Sequence, residues 1–143
     1  MLLRFVLTFI CLWGLSGFAE GQQHYRIVSY NVENLFDIQD DPDTRDEDFT
    51  PFGRLHWNQE KYTDKLLKLA EVVKAVGEGE FPVFIGLCEV ENRRVLEDLT
   101  QKTGLTEGGY GIVHRDSPDA RGIDVAFLYR KAGSPLLFLI PCP

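Results

Sequence analysis

The stretch that decides the fold is Phe81-Pro82-Val83-Phe84-Ile85-Gly86-Leu87-Cys88-Glu89-Val90-Glu91-Asn92. It opens as an apolar run of strand length and closes in acid and amide side chains. Short apolar runs bounded by Pro and Gly read as buried strands. A buried strand does not carry a charge unless that charge is paired or binds a metal. Glu89 is therefore expected where the strand leaves the core, its carboxylate facing whatever lies beyond the sheet edge. In layered α/β folds that is where ligands bind. The plainer alternative is that Glu89 is simply the first solvated residue after the strand.

Working outward, His24 to Asn31 reads as an earlier strand, rich in β-branched and aromatic residues. It too ends in a polar amide, so Asn31 and Glu89 are candidates to stand side by side. Between these strands, Asn58 to Val76 reads as a helix with Asn58 as its cap and Gly77 after its end. Tyr62, Leu66, Leu69, Val73 and Val76 recur at spacings of three and four and form its core stripe. Trp57 is expected to pack over the helix start. A second helix is predicted over Asn92 to Thr103, with Val95, Leu96 and Leu99 buried and Gly104 at its end. Two strand-to-helix units in succession predict a layered α/β fold.

Two more strands follow, Tyr110 to His114 and Ile123 to Tyr129, joined by the polar turn Arg115 to Gly122. In the second, Asp124 shares a face with Ala126 and Leu128, so a buried carboxylate there needs a partner. Arg121 or the backbone of the polar turn can supply it. Arg121 has two readings, a structural ion pair or a fork for phosphate oxygens. His114 has two as well, a hydrogen-bonded structural residue or a catalytic base.

Asp37 to Asp48 holds seven acids and one Arg. Pro42 interrupts it, no glycine sits centrally and the closing Glu of a calcium loop is missing, so it reads as a solvated surface loop. The chain of 143 residues allows one domain, and its net charge of −7 argues against holding nucleic acid through a basic surface. A phosphate ester would have to be attracted by something else, and a divalent cation is the natural candidate.

Residues 1–19 read as a signal peptide: Arg4, an apolar run from Phe5 to Trp13, and small residues at Gly17 and Ala19. Cleavage after Ala19 predicts a secreted or periplasmic product with no transmembrane span; an uncleaved anchor is the alternative. Of the remaining cysteines, Cys88 is expected to act as a small buried apolar residue, and a disulfide with Cys142 is unsupported.

Three blocks taken together resemble the endonuclease/exonuclease/phosphatase family. They are Ser29-Tyr30-Asn31-Val32-Glu33-Asn34-Leu35-Phe36-Asp37, Gly86-Leu87-Cys88-Glu89-Val90-Glu91-Asn92, and Ser117 through Tyr129. They stand in the family's order, and the likeness runs from about Tyr25 to Arg130. The resemblance implies a four-layer β-sandwich of the deoxyribonuclease I-like type, two sheets face to face with helices outside. It implies metal-assisted hydrolysis of a phosphodiester or phosphomonoester. By position Glu89 matches the family's metal ligand, usually for Mg2+, with Mn2+ or Ca2+ as alternatives. Asn31 matches the asparagine that orients the metal site and phosphate. Arg121 matches, more loosely, an arginine near the scissile phosphate. Asp124 and His114 are assigned at most supporting roles. The substrate class implied is a nucleic acid, a phospholipid or an inositol phosphate head group.

The family's later Asp-x-Asn and Ser-Asp-His segments have no counterpart after Arg130. The expectation is therefore that residues 20–143 form the N-terminal part of such a domain with the C-terminal half missing, weakly active or inactive alone. Half a sandwich would expose the inner face of its own core. The alternatives are a half-domain completed by a second chain, and a non-catalytic binding or interaction module.

Overall fold

The computed structural model describes residues 24–131. The expected signal peptide over residues 1–19 and Cys142 lie outside them. Among the described residues no helix is long and apolar enough to cross a membrane.

Four strands form one mixed sheet in the order β1-β2-β4-β3: β1 is Ile27–Leu35, β2 Phe84–Val90, β3 Tyr110–His114 and β4 Asp124–Arg130. β1 and β2 run parallel, joined by helix α1 (Gln59–Val76); β4 is antiparallel to both β2 and β3. Helix α2 (Arg93–Gln101) connects β2 to β3. The strand-helix alternation read from the sequence is thus the architecture found.

Both helices pack on the same side of the sheet. One core cluster joins Val28, Val32, Ile85, Leu87, Val90, Ala126 and Leu128 of the sheet to Tyr62, Leu66, Leu69, Ala70 and Val73 of α1 and to Val95, Leu96 and Leu99 of α2. The helices begin as their sequences dictate. The Asn58 side chain accepts from the Lys61 N–H at 3.0 Å, and Asn92 from that of Val95 at 3.1 Å. Each such cap contributes about 1 kcal/mol.

Among the described residues no element covers the other face of the sheet. Ile27, Val113, Val125 and Phe127 are exposed there, and Phe84 stacks on Phe127 with ring centroids 5.2 Å apart. The described residues therefore form a sheet with one helical layer. This mixed α/β arrangement fits the layered α/β fold expected from the sequence.

Several boundaries differ from expectation for identifiable reasons. β1 starts at Ile27 and continues past Asn31 to Leu35, because the chain kinks at Glu33 and Asn34 and then resumes pairing at Leu35 with Val90. Val76 leaves the core stripe and is 51% exposed, while Ala70 joins it. Cys88 is half-buried on the open face rather than sealed in the core, since strand alternation places it opposite Leu87. The acidic loop is not wholly solvated: Asp37 and Asp46 are buried.

Candidate active site

The carboxyl ends of β1 and β2 and the facing ends of β3 and β4 all lie at one end of the sheet. Asn31 pairs in register with Cys88, which brings Asn31 beside Glu89. Glu89 is a bulged residue: pairing with β4 slips between Cys88 and Val90, and Glu89 takes a left-handed backbone with φ 64°. Glu33 and Asn34 on β1 are also left-handed, with φ 55° and 63°. Non-glycine residues rarely adopt this region, and clusters of them mark functional sites. The bulge turns the Glu89 side chain out of the strict alternation that would bury or expose it with its neighbours.

The side-chain geometry follows. Asn31 Nδ2 donates to Glu89 Oε1 at 2.9 Å. Asn31 Oδ1 accepts from the Glu33 N–H at 2.8 Å. The two contacts fix the amide's orientation, because a carboxylate accepts and a backbone N–H donates. Among the described residues the half-buried Glu89 makes no other side-chain hydrogen bond, so Oε2 is left without a hydrogen-bond partner.

Arg121 sits on the turn between β3 and β4. Its guanidinium is exposed and forks onto Asp119 at 3.2 and 3.3 Å. Its pKa is raised, chiefly by that hydrogen bond and the Asp119 charge, and further by the field of Glu89. Gly122 closes the turn with φ 72°, and an added Cβ would stand 2.8 Å from Thr44 Cγ2, so glycine is required where this turn meets the acidic loop. The Arg45 N–H donates to Ala120 O at 2.9 Å across the same junction.

Asp124 is buried on the helix side of the sheet. Its Oδ1 accepts from the Ser117 N–H at 2.7 Å and its Oδ2 meets His114 Nε2 at 2.8 Å. Of the two partners considered for Asp124, the turn backbone is the one used, and His114 joins it. His114, Asp116 and Asp124 bring one ligand atom each within 4.8 Å of one another, the single such His/Cys/Asp/Glu group among the described residues. The two Asp124 contacts also tie the start of the Arg121-bearing turn to β3 and β4.

Behind Glu89 lies a cluster not foreseen from sequence. Glu91 Oε2 accepts from the Asp37 N–H at 2.6 Å, and Asp37 Oδ2 accepts from Arg94 at 3.1 Å and Asn92 at 3.3 Å. Asp46 is buried with Oδ1 unpartnered. Burial, with Asp37 and Asp46 nearby, pushes the Glu91 carboxyl up to about 7. These contacts staple the segment after β1 to the β2–α2 junction. The segment's Phe36 stacks on Phe49 at 4.2 Å, and Trp57 Nε1 donates to Phe36 O at 3.0 Å. Trp57 thus packs at the helix start as expected.

The fold is that of a layered α/β protein, with an amide and a carboxylate meeting at the carboxyl ends of two parallel strands. The chain belongs to the Endonuclease/Exonuclease/phosphatase family, whose profile matches residues 26–136. Domains of this family act on phosphoesters and are generally dependent on divalent metals. Neither a curated protein nor a solved structure matches the chain.

Proposed function

We propose that this chain carries the cation-binding part of a phosphoester hydrolase site, centred on Glu89. The observation that supports it is a carboxylate at the strand ends with one oxygen held by Asn31 and the other without a hydrogen-bond partner among the described residues. The donor set fits a hard cation. Mg2+ takes oxygen ligands, keeps several waters and needs only one or two carboxylates. Glu89 would hold it. Asn31 turns its nitrogen, not its oxygen, toward Glu89, so it serves as the orienting residue behind the ligand. A bound cation would offset charge developing on the phosphate oxygens. Arg121 would exchange Asp119 for a phosphate oxygen and add its own charge. Asp124 and His114 hold the turn that presents it.

A nuclease or phosphatase is the reading, with substrate a nucleic acid, a phospholipid or an inositol phosphate head group. The four-layer sandwich is part of the proposal: the open face bearing Ile27, Val113, Val125 and Phe127 suits a second sheet. The same open face favours a second reading, a half-domain completed by another chain. Export through the leader is proposed on the sequence alone.

Calorimetric titration with Mg2+, followed by hydrolysis of bis(4-nitrophenyl) phosphate, tests the reading. Binding should be lost in Glu89→Gln, and any turnover should fall by about 10² or more. Mg2+ affinity unchanged in Glu89→Gln would overturn it. Turnover appearing only with an added chain would favour the second reading.

A further inference from the structure

The hydrogen bonds at Asn31 and Glu89 do not end at Glu33. The backbone carbonyl of Glu33 accepts from Lys65 Nζ at 2.6 Å. A continuous chain results: Lys65 ammonium to Glu33 C=O, Glu33 N–H to Asn31 Oδ1, Asn31 Nδ2 to Glu89 Oε1. It runs from α1, across the left-handed kink of β1, to the bulge of β2. Each member holds the next in one orientation.

Lys65 differs from its neighbours on the helix. Lys61 reaches the Leu55 carbonyl at 2.8 Å and Lys68 pairs with Asp64 at 2.7 Å, both on exposed side chains. Lys65 is half-buried, its ammonium 5.9 Å from the centroid of the Trp57 ring. Burial lowers its basicity, and the charges of Glu33 and Glu89 pull it partly back. A lysine gives up hydration only where something replaces it. Here the replacements are the Glu33 carbonyl, the indole face and the field of Glu89.

We propose that Lys65 is a positioning residue of this site: acting through the Glu33 backbone and the Asn31 amide, it fixes the Glu89 carboxylate for a divalent cation. The inference rests on the assignment of Glu89 as the cation ligand. Two effects of Lys65 carry opposite signs. Its charge near Glu89 repels an incoming cation, so simple removal of that charge would tighten binding. Its tether holds the ligand, so loss of the tether would weaken binding. Loss of an outer partner of a metal ligand costs about 10–100-fold in affinity or activity.

The test uses the full chain with Lys65→Met, Lys65→Arg and, as a control on the same helix, Lys68→Met. Mn2+ affinity is measured by paramagnetic resonance, and the Asn31 side-chain NH2 pair is followed by 15N NMR without metal. Lys65→Met should weaken Mn2+ binding about tenfold or more and shift the Asn31 pair toward free-amide values. Lys65→Arg should retain most of both, and Lys68→Met all of both. Mn2+ affinity equal to or tighter than the parent in Lys65→Met, or an unmoved Asn31 pair, overturns the inference. Should Lys65→Met not fold, Lys65→Gln takes its place with the same two outcomes. If Glu89→Gln leaves Mn2+ affinity intact, the site assignment itself is at fault. If Glu89→Gln abolishes binding and Lys65→Met does not weaken it, only the role of Lys65 falls.

Discussion

Glu89 and Asp124 are two carboxylates at the same end of one sheet, and they are built for opposite purposes. Asp124 is buried, and both its oxygens are committed, one to a turn N–H and one to an imidazole. Glu89 stands on a bulge with one oxygen held and the other without a hydrogen-bond partner among the described residues. A buried carboxylate with both oxygens bonded holds structure, whereas one with an unbonded oxygen retains more lone pairs for a ligand. The backbone makes the difference. Asp124 obeys strand alternation and goes to the helix side with Ala126 and Leu128. Glu89 escapes alternation through its left-handed bulge.

The comparison breaks most sharply under Asp124→Ala. Removing that carboxylate strands the His114 ring and the Ser117 N–H in a buried setting, at about 3–5 kcal/mol. Chemical denaturation should register that loss, while Glu89→Gln, half-buried but still able to accept from Asn31, should change stability by less than about 1 kcal/mol. Mn2+ titration should give the reverse ranking among variants that remain folded. Equal stability losses at the two positions would erase the distinction.

A second contrast separates the two faces of the sheet. Leu87 is 1% exposed under the helices, and its truncation to Ala should cost about 2–5 kcal/mol. Val125, on the open face, is 52% exposed, so Val125→Ala should cost under about 1 kcal/mol if nothing covers it. A larger loss at Val125, measured by the same denaturation, would reveal that the face is covered in solution, as the sandwich proposal requires.

The layering was legible in the sequence because it rests on local patterns. The Asn58 and Asn92 caps, the Tyr62-Leu66-Leu69-Val73 stripe and the apolar run before Glu89 each announce an element from neighbours a few residues away. The meeting of Asn31 with Glu89 followed from two strands ending alike. The rest was hidden because its partners are remote or are backbone atoms. Nothing in the spacing of Lys65 says that it reaches the carbonyl of Glu33, 32 residues earlier. The kink at Glu33-Asn34 and the bulge at Glu89 involve residues with no left-handed preference of their own, apart from Asn34, so tertiary contacts impose them. The acid-rich loop misled for a related reason. Composition marks it as solvated, but Asp37 and Asp46 are drawn inward by the backbone N–H groups of Gln39 and Asp41 and by Asn92 and Arg94.

Glu91, two residues from Glu89 on the same chain, extends the contrast to the inside of the molecule. It lies against Asp37 and Asp46, and its pKa rises from the ordinary 4.5 to about 7 because burial disfavours its charged form. Its protonated form therefore binds the fold better than its anion. The sign follows by linkage: the contribution is full below about pH 4.5 and is lost as pH rises through 7. Stability should fall across that interval by about 3 kcal/mol, with the bond from the Asp37 N–H to the anion already included. Glu91→Gln keeps an acceptor for that N–H and carries no charge to bury, so its denaturation midpoint should vary less between pH 5 and 8 and exceed the parent's at pH 8. Parallel pH profiles for the two proteins would mean that Glu91 is ionised at no cost, with a positive charge or a bound cation beside it in solution. That outcome would shift the boundary between structural and ligand-binding carboxylates one residue pair deeper into the domain.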